Sequence, residues 1–295
     1  MTLIRAYNCS SIEQVLELLD KYKEKSKLIA GGTDIIIALR EKKISPEVLI
    51  DISKIEELRK IESANGIVKI GSTVNYTQII ESSLFLDNLY GLSKSCRLVG
   101  SPQIRNKGTI GGNIANASPA ADSIPPLIAL GAELKIASIR GERTVSLEDY
   151  FRNKDINGLR EDELLIEIEF KKPNDDEILS FSKLGLRKAL AISRITLSML
   201  ICLDENRKVE RIRVASGSIG KYPMREKEVE QSLIGLTFNS DIYKIAVESL
   251  QNSMDQRLKG RSTYPYKRRA SISLMEEIIK DSESYFEKAV IQDAN

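Results

Sequence analysis

Histidine is absent from all 295 residues of this chain. That absence excludes a serine–histidine–aspartate triad, a cysteine–histidine dyad and histidine ligation of zinc or haem. Any chemistry performed here is then expected from a cofactor. Cysteine is scarce and scattered, at Cys9, Cys96 and Cys202. Three widely spaced thiols point to a reducing cytoplasm and argue against a disulfide framework or an iron–sulfur cluster. No stretch approaches the ~18 consecutive apolar residues of a membrane span, and the start, Met1 to Arg5, has no apolar signal-peptide core. Charge is balanced, 44 basic against 42 acidic residues, with no long basic stripe, so nucleic acid is not an expected partner. The short run Lys267, Arg268, Arg269 reads as a solvated helix face. Internal repeats, low-complexity segments, the dinucleotide fingerprint and the P-loop motif are all missing.

What is present is a mixed α+β pattern. The length fits two domains or one bilobed unit, and 42% hydrophobic content is that of a globular protein. Ile12, Val15, Leu16 and Leu19 recur at helical spacing, with Ser11 and Gln14 as a capping box. Short β-rich runs follow at 27–30, 48–52 and 67–71, with helices expected at 34–40, 76–81, 84–98 and 125–130. Gly131 suits a left-handed helix cap, and strands are expected at 132–138 and 165–170. Pro173 to Asp176 is the clearest boundary. Beyond it, 178–184, 194–203 and 209–215 read as three strands, with a hairpin turn at Asp204 to Arg207, then helices from about Arg225. The predicted division is a first domain at 1–172, with subdomains of about 1–58 and 59–172, and a second at 177–290.

Two glycine segments carry the functional signal. In Leu28-Ile29-Ala30-Gly31-Gly32-Thr33-Asp34-Ile35, two glycines end a strand ahead of a helix. Glycine permits positive φ and close ligand approach, and free N–H groups at such a place can cradle phosphate oxygens. The competing reading is a plain turn with Asp34 as a helix cap. In Gly108-Thr109-Ile110-Gly111-Gly112-Asn113-Ile114, three glycines, a hydroxyl and an amide fall within seven residues, again as tight turn or phosphate loop. Two such segments suggest a pyrophosphate clamped from two sides. Asp122, in Ser118 to Asp122, would take a ribose hydroxyl or an adenine amine, or else cap a helix.

Together with Val48 to Ile52, Gly100 to Asn106, Asp162 to Leu165 and Phe181 to Arg187, these segments resemble the FAD-binding subunit of the molybdenum hydroxylases, the family of xanthine, nicotinate and aerobic carbon monoxide dehydrogenases. The resemblance runs in order along nearly the whole chain. It implies a two-lobed FAD-binding domain of the p-cresol methylhydroxylase / vanillyl-alcohol oxidase type, followed by a small α+β domain with a three-stranded sheet and helices. It also implies that residues 28–35 form the first pyrophosphate loop and Thr109 to Asn113, with Gly111 and Gly112, the second. Asp122 is implied beside the adenosine part and Val99 near the flavin. Leu165 is implied to touch the cofactor through its backbone, and Lys183 to approach the flavin or its ribityl chain. A cation there favours the negative N1–C2=O edge of reduced flavin.

The parts that bind molybdopterin and 2Fe–2S clusters are not in this sequence, so the resemblance places them on a large and a small partner subunit in a cytoplasmic heterotrimer. Electrons would pass from the clusters to FAD and on to NAD+ or another acceptor, during hydroxylation of a purine or other N-heterocycle at molybdenum. No catalytic acid or base and no metal site stands out in this chain. Two alternatives are a self-contained flavin oxidase or dehydrogenase of the same fold and a non-enzymatic nucleotide-binding module.

Overall fold

The computed structural model describes residues 5–185, 191–239 and 241–293; Arg187, part of the resemblance, lies outside them. Two compact units are woven from alternating stretches of chain. The first takes residues 1–78, 101–117 and 132–172, and the second 79–100, 118–131 and 173–295. Among the described residues no helix is long and apolar enough to cross a membrane.

The first unit holds two sheets. In one, Val48–Asp51 lies between Arg5–Asn8 and Ser26–Ile29, all parallel. Parallel strands need covered faces, and the helix Ile12–Tyr22 supplies Val15 and Leu19 to a core with Val48, Ile50 and Ile52. Ser11 accepts from the Gln14 N–H as expected, but the Gln14 amide reaches back to Ser10 N, one residue earlier than a standard capping box. The other sheet is antiparallel, in the order Ile61–Ala64, Ile67–Gly71, Leu164–Lys171, Glu133–Ser138, Gly141–Ser146. Neither its first nor its last strand has a buried side chain, which leaves little apolar alternation to read from the sequence.

The second unit is built on an antiparallel sheet of three long strands, Glu177–Gly185, Ser193–Leu203 and Val209–Gly217, extended by the two-residue strand Met224–Arg225. Side chains alternate between faces. Ile195, Leu197, Met199 and Ile201 join Leu250, Met254, Met275 and Ile278 of the last two helices, Ile242–Leu258 and Tyr264–Asp293. The opposite face carries Thr196, aligned with Lys183 on one side and Gly217 on the other. It packs against the helix Ile124–Ala129.

Two expectations change. The stretch 84–98 is not one helix: a 3-10 turn at Ser83–Phe85 precedes the helix Tyr90–Arg97. Buried Asn88 interrupts them because its backbone carbonyl accepts from Leu179 and its side chain donates to Asn174 O at 2.8 Å. Lys267 and Arg268 are not simply solvated, since they are half-buried and bonded to Ser218 O and Asp255. Leu197 is fully buried at the centre of the second unit's core. Leu197→Ala is expected to cost about 2–5 kcal/mol, read as a lower denaturant midpoint with an unchanged slope.

Candidate functional site

Gly32 sits at φ +73°, a left-handed conformation that a side chain makes costly. Gly31 is fixed by proximity: a Cβ there would lie 1.8 Å from the Lys107 carbonyl oxygen. The two glycine segments are therefore pressed together, backbone on backbone. The N–H groups of Gly31, Gly32 and Thr33 find no acceptor among the described residues, and all three residues are half-buried. Unspent backbone donors in a glycine turn form an anion-binding concavity. Asp34 makes no capping bond to the helix Ile35–Arg40. Its carboxylate accepts from Thr33 Oγ1 at 3.1 Å and from Asn116 Nδ2 at 3.2 Å. Leu28 and Ile29 belong to the preceding strand, where Leu28 and Ala30 pack on the core, and Ile35 opens the helix.

The second segment is not a loop. Thr109 caps the helix Ile110–Asn116 through a bond from Gly112 N–H to its Oγ1. The amides of this turn are already committed: Ile110 to Val74 O, Gly111 to Ser72 O, and Asn113 to Thr109 O. Gly111 is glycine because a Cβ would stand 2.5 Å from Ser72 O. Gly112 differs, being exposed and facing only Thr109 Oγ1. This segment thus offers an open glycine surface rather than free donors. The donors come from residues 31–33.

Leu165, in the same unit, is 4% exposed and pairs with Ile136 on one side only. Glu163 anchors the start of its strand. The buried carboxylate accepts from Arg143 Nε and Nη2 at 2.8 and 2.7 Å and from Arg160 N at 2.9 Å. Burial pushes its pKa up, but these donors outweigh burial and hold it below the ordinary 4.5. The hydrogen bond from Arg140 likewise lowers Asp162.

In the second unit, Lys183 and Asp122 meet. The Lys183 ammonium donates to Asp122 Oδ2 at 2.5 Å and to Leu98 O, next to Val99, at 2.9 Å; both charged side chains are 7% exposed. Ser193 Oγ donates to the other carboxylate oxygen. Burial pushes the Asp122 carboxyl above its ordinary range, against the pull of Lys183 and Ser193. The resemblance implies Asp122 beside the adenosine part and Lys183 by the flavin or its ribityl chain; in the structure the two side chains are in direct contact. Ser193, Asn116 and the Arg143–Glu163 clamp went unread in the sequence, since nothing in spacing distinguishes them from surface polar residues.

Two outcomes follow from this geometry. Gly31→Ala is expected to cost about 1–3 kcal/mol through overpacking on a backbone carbonyl, measured by denaturant unfolding of the apoprotein. Because the folded pKa of Glu163 is depressed, its stabilisation is present above 4.5 and lost as pH falls through the folded value. Glu163→Gln should therefore flatten the acid limb of the stability–pH curve, seen by thermal melts between about pH 3 and 6.

Residues 3–173 match the family described as the FAD binding domain in molybdopterin dehydrogenase. Residues 180–282 match the CO dehydrogenase flavoprotein C-terminal domain. The nicotinate dehydrogenase FAD-subunit of Eubacterium barkeri is 31% identical over 275 residues, covering 92% of this chain and 93% of that one. The xanthine dehydrogenase FAD-binding subunit of Escherichia coli is 30% identical over 260 residues, with 88% and 89% covered. The carbon monoxide dehydrogenase of Hydrogenophaga pseudoflava, solved without the Mo-pyranopterin moiety of its molybdenum cofactor, superposes with a TM-score of 0.87 at 25% identity, over 96% of this chain and 98% of that one. A histidine-free α+β chain with an unspent glycine cradle, matched over most of its length by such relatives, belongs to the FAD-binding medium subunits of the molybdenum hydroxylases, a family of oxidoreductases.

Proposed function

We propose that this subunit relays electrons from 2Fe–2S clusters on a small partner to NAD+ or another acceptor, while a molybdopterin-bearing large partner hydroxylates a purine or other N-heterocycle. The relatives named for nicotinate and xanthine support that substrate class. FAD supplies the two-electron redox chemistry, and this chain binds and tunes it. The single observation carrying the assignment is the trio of unspent N–H groups at Gly31, Gly32 and Thr33, with the second segment pressed against Gly31. These amides would hold the diphosphate, and the open face of Gly112 would let it approach. Leu28, Ile29, Ala30, Asp34 and Ile35 shape that cradle, and Thr109, Gly111 and Asn113 support it.

Lys183, fixed by Leu98 O and Asp122, would set its ammonium at the flavin's N1–C2=O edge, with Val99 beside the ring and the Leu165 backbone as a further contact. Asp122 goes with Lys183 to the flavin part rather than to the adenosine, because the pair is inseparable at 2.5 Å. A heterotrimeric assembly in the cytoplasm follows from the same reading.

The full chain, co-expressed with its partners, is expected to purify yellow with one FAD and to reduce NAD+ on addition of nicotinate or xanthine. Gly112→Glu would put a carboxylate where the diphosphate lies, and should weaken FAD binding at least about tenfold while the circular dichroism stays native. A colourless, folded wild type would overturn the assignment. Full FAD affinity in the variant would remove Gly112 from the cradle.

A further inference from the structure

Three candidates stand outside the cofactor cradle. A cavity of about 450 Å³ in the first unit is lined by Lys23, Lys154, Arg160, Asp155 and Glu161 among others, but its mixed charges select no ligand. Lys267 lies in the field of Arg194 and Arg261, yet its ammonium is occupied by Ser218 O. The third candidate, the hydroxyl of Ser193, has a definite target.

Resting on the reading that Lys183 faces the flavin, we infer that Ser193 is a positioning residue that sets how strongly the chain prefers reduced over oxidised FAD, by holding Asp122 and through it Lys183. An ammonium has three N–H donors. Lys183 spends two, on Asp122 Oδ2 and Leu98 O, and the third has no acceptor among the described residues. A carboxylate has two oxygens, and the one not facing Lys183 is taken by Ser193 Oγ. Ser193 is itself 5% exposed, and its backbone carbonyl accepts from Ser218 Oγ at 3.2 Å, so it is held at both ends.

Without that hydroxyl, Asp122 Oδ1 loses the donor that holds it away from the ammonium. Lys183 would turn toward both oxygens, and its third N–H would be withdrawn from the ligand. Cys96 also lies in the field of Asp122; its thiol, fully buried and pushed up to about 12 by burial, offers no replacement charge. The hydroxyl therefore preserves a free donor on Lys183 for the site of developing negative charge, where a preorganised donor is most effective.

The test uses the FAD-loaded full chain with Ser193→Ala, Ser193→Thr and Ser193→Cys, titrated by dye equilibration, together with the affinity for oxidised FAD. Ser193→Ala should lower the preference for reduced FAD about tenfold, a fall of about 30 mV for a two-electron couple, with little change in oxidised-FAD affinity. Ser193→Thr, which keeps the hydroxyl, should restore the wild-type potential, and Ser193→Cys, a weaker donor, should lie between. If Ser193→Ala does not fold, Ser193→Cys carries the test. A wild-type potential in alanine or cysteine variants overturns the inference, as does an equal shift in alanine and threonine variants. A wild type that binds no FAD instead overturns the reading on which the inference rests.

Discussion

The first unit depends on a contact in which no side chain takes part: the Cα of Gly31 against the carbonyl of Lys107. Only glycine allows two backbones so close, and everything proposed for the diphosphate follows from it. Because the chain at 107 lies against one side of Gly31, the turn at 31–33 cannot shift toward it. Because Gly32 holds a positive φ, the turn cannot relax into an extended path either. Its amides find no acceptor among the described residues. Leaving buried or half-buried donors unpaired costs free energy, and a bound diphosphate would recover it. The Asn116–Asp34–Thr33 chain of hydrogen bonds ties the end of the second segment's helix back to the same turn, so the two segments are linked twice.

The second unit solves a different problem, placing a cation inside a protein. A buried lysine with no counter-charge tends to lose its proton. The Asp122–Lys183 pair supplies the counter-charge, but an isolated pair leaves lone pairs unsatisfied in a medium where that is expensive. Ser193 donates to the second carboxylate oxygen, and the Leu98 carbonyl accepts a second N–H of Lys183. The sheet register makes this possible, since Lys183 aligns with Thr196 on the face that packs against the helix following Asp122. A one-residue slip would turn Lys183 to the other face, into the apolar core of the last two helices.

Much of the fold was legible because its strands and helices carry ordinary periodicity. The three long strands of the second unit, the helix Tyr76–Glu81 and the left-handed cap at Gly131 lie where apolar spacing and turn residues put them. What was illegible has physical causes. The edge strands Arg5–Asn8 and Ile61–Ala64 expose their side chains and so lack a pattern. Asn88 breaks a plausible helix for tertiary hydrogen bonds that sequence does not announce. The segment Thr109 to Asn113 reads in sequence as a tight turn or phosphate loop; in the structure Gly111 packs on Ser72, and Thr109 caps a helix. The glycines were visible, but which of them serve chain packing and which leave an opening required coordinates. Ser193 gave no signal, because one serine at the start of a strand is unremarkable until its partner is known.

The absence of histidine now reads as compatible with the task. A subunit that binds and tunes a redox cofactor needs no proton shuttle of its own, and it gains from having no competing redox groups. The three thiols are all buried and free. Burial pushes Cys9 up, Cys96 to about 12 and Cys202 to about 11. The thiolate is the reactive form, so near neutral pH these sulfurs are poor nucleophiles. Cys96 matters most, because it lies in the field of Asp122, close to the proposed flavin contact. Had that position offered a thiolate, its negative charge would offset the Lys183 cation and oppose the build-up of charge on reduced flavin. A neutral thiol sealed in the core adds no charge to the Asp122–Lys183 pair. The electrostatics of this region are thus set as much by what is kept un-ionised as by the ion pair itself.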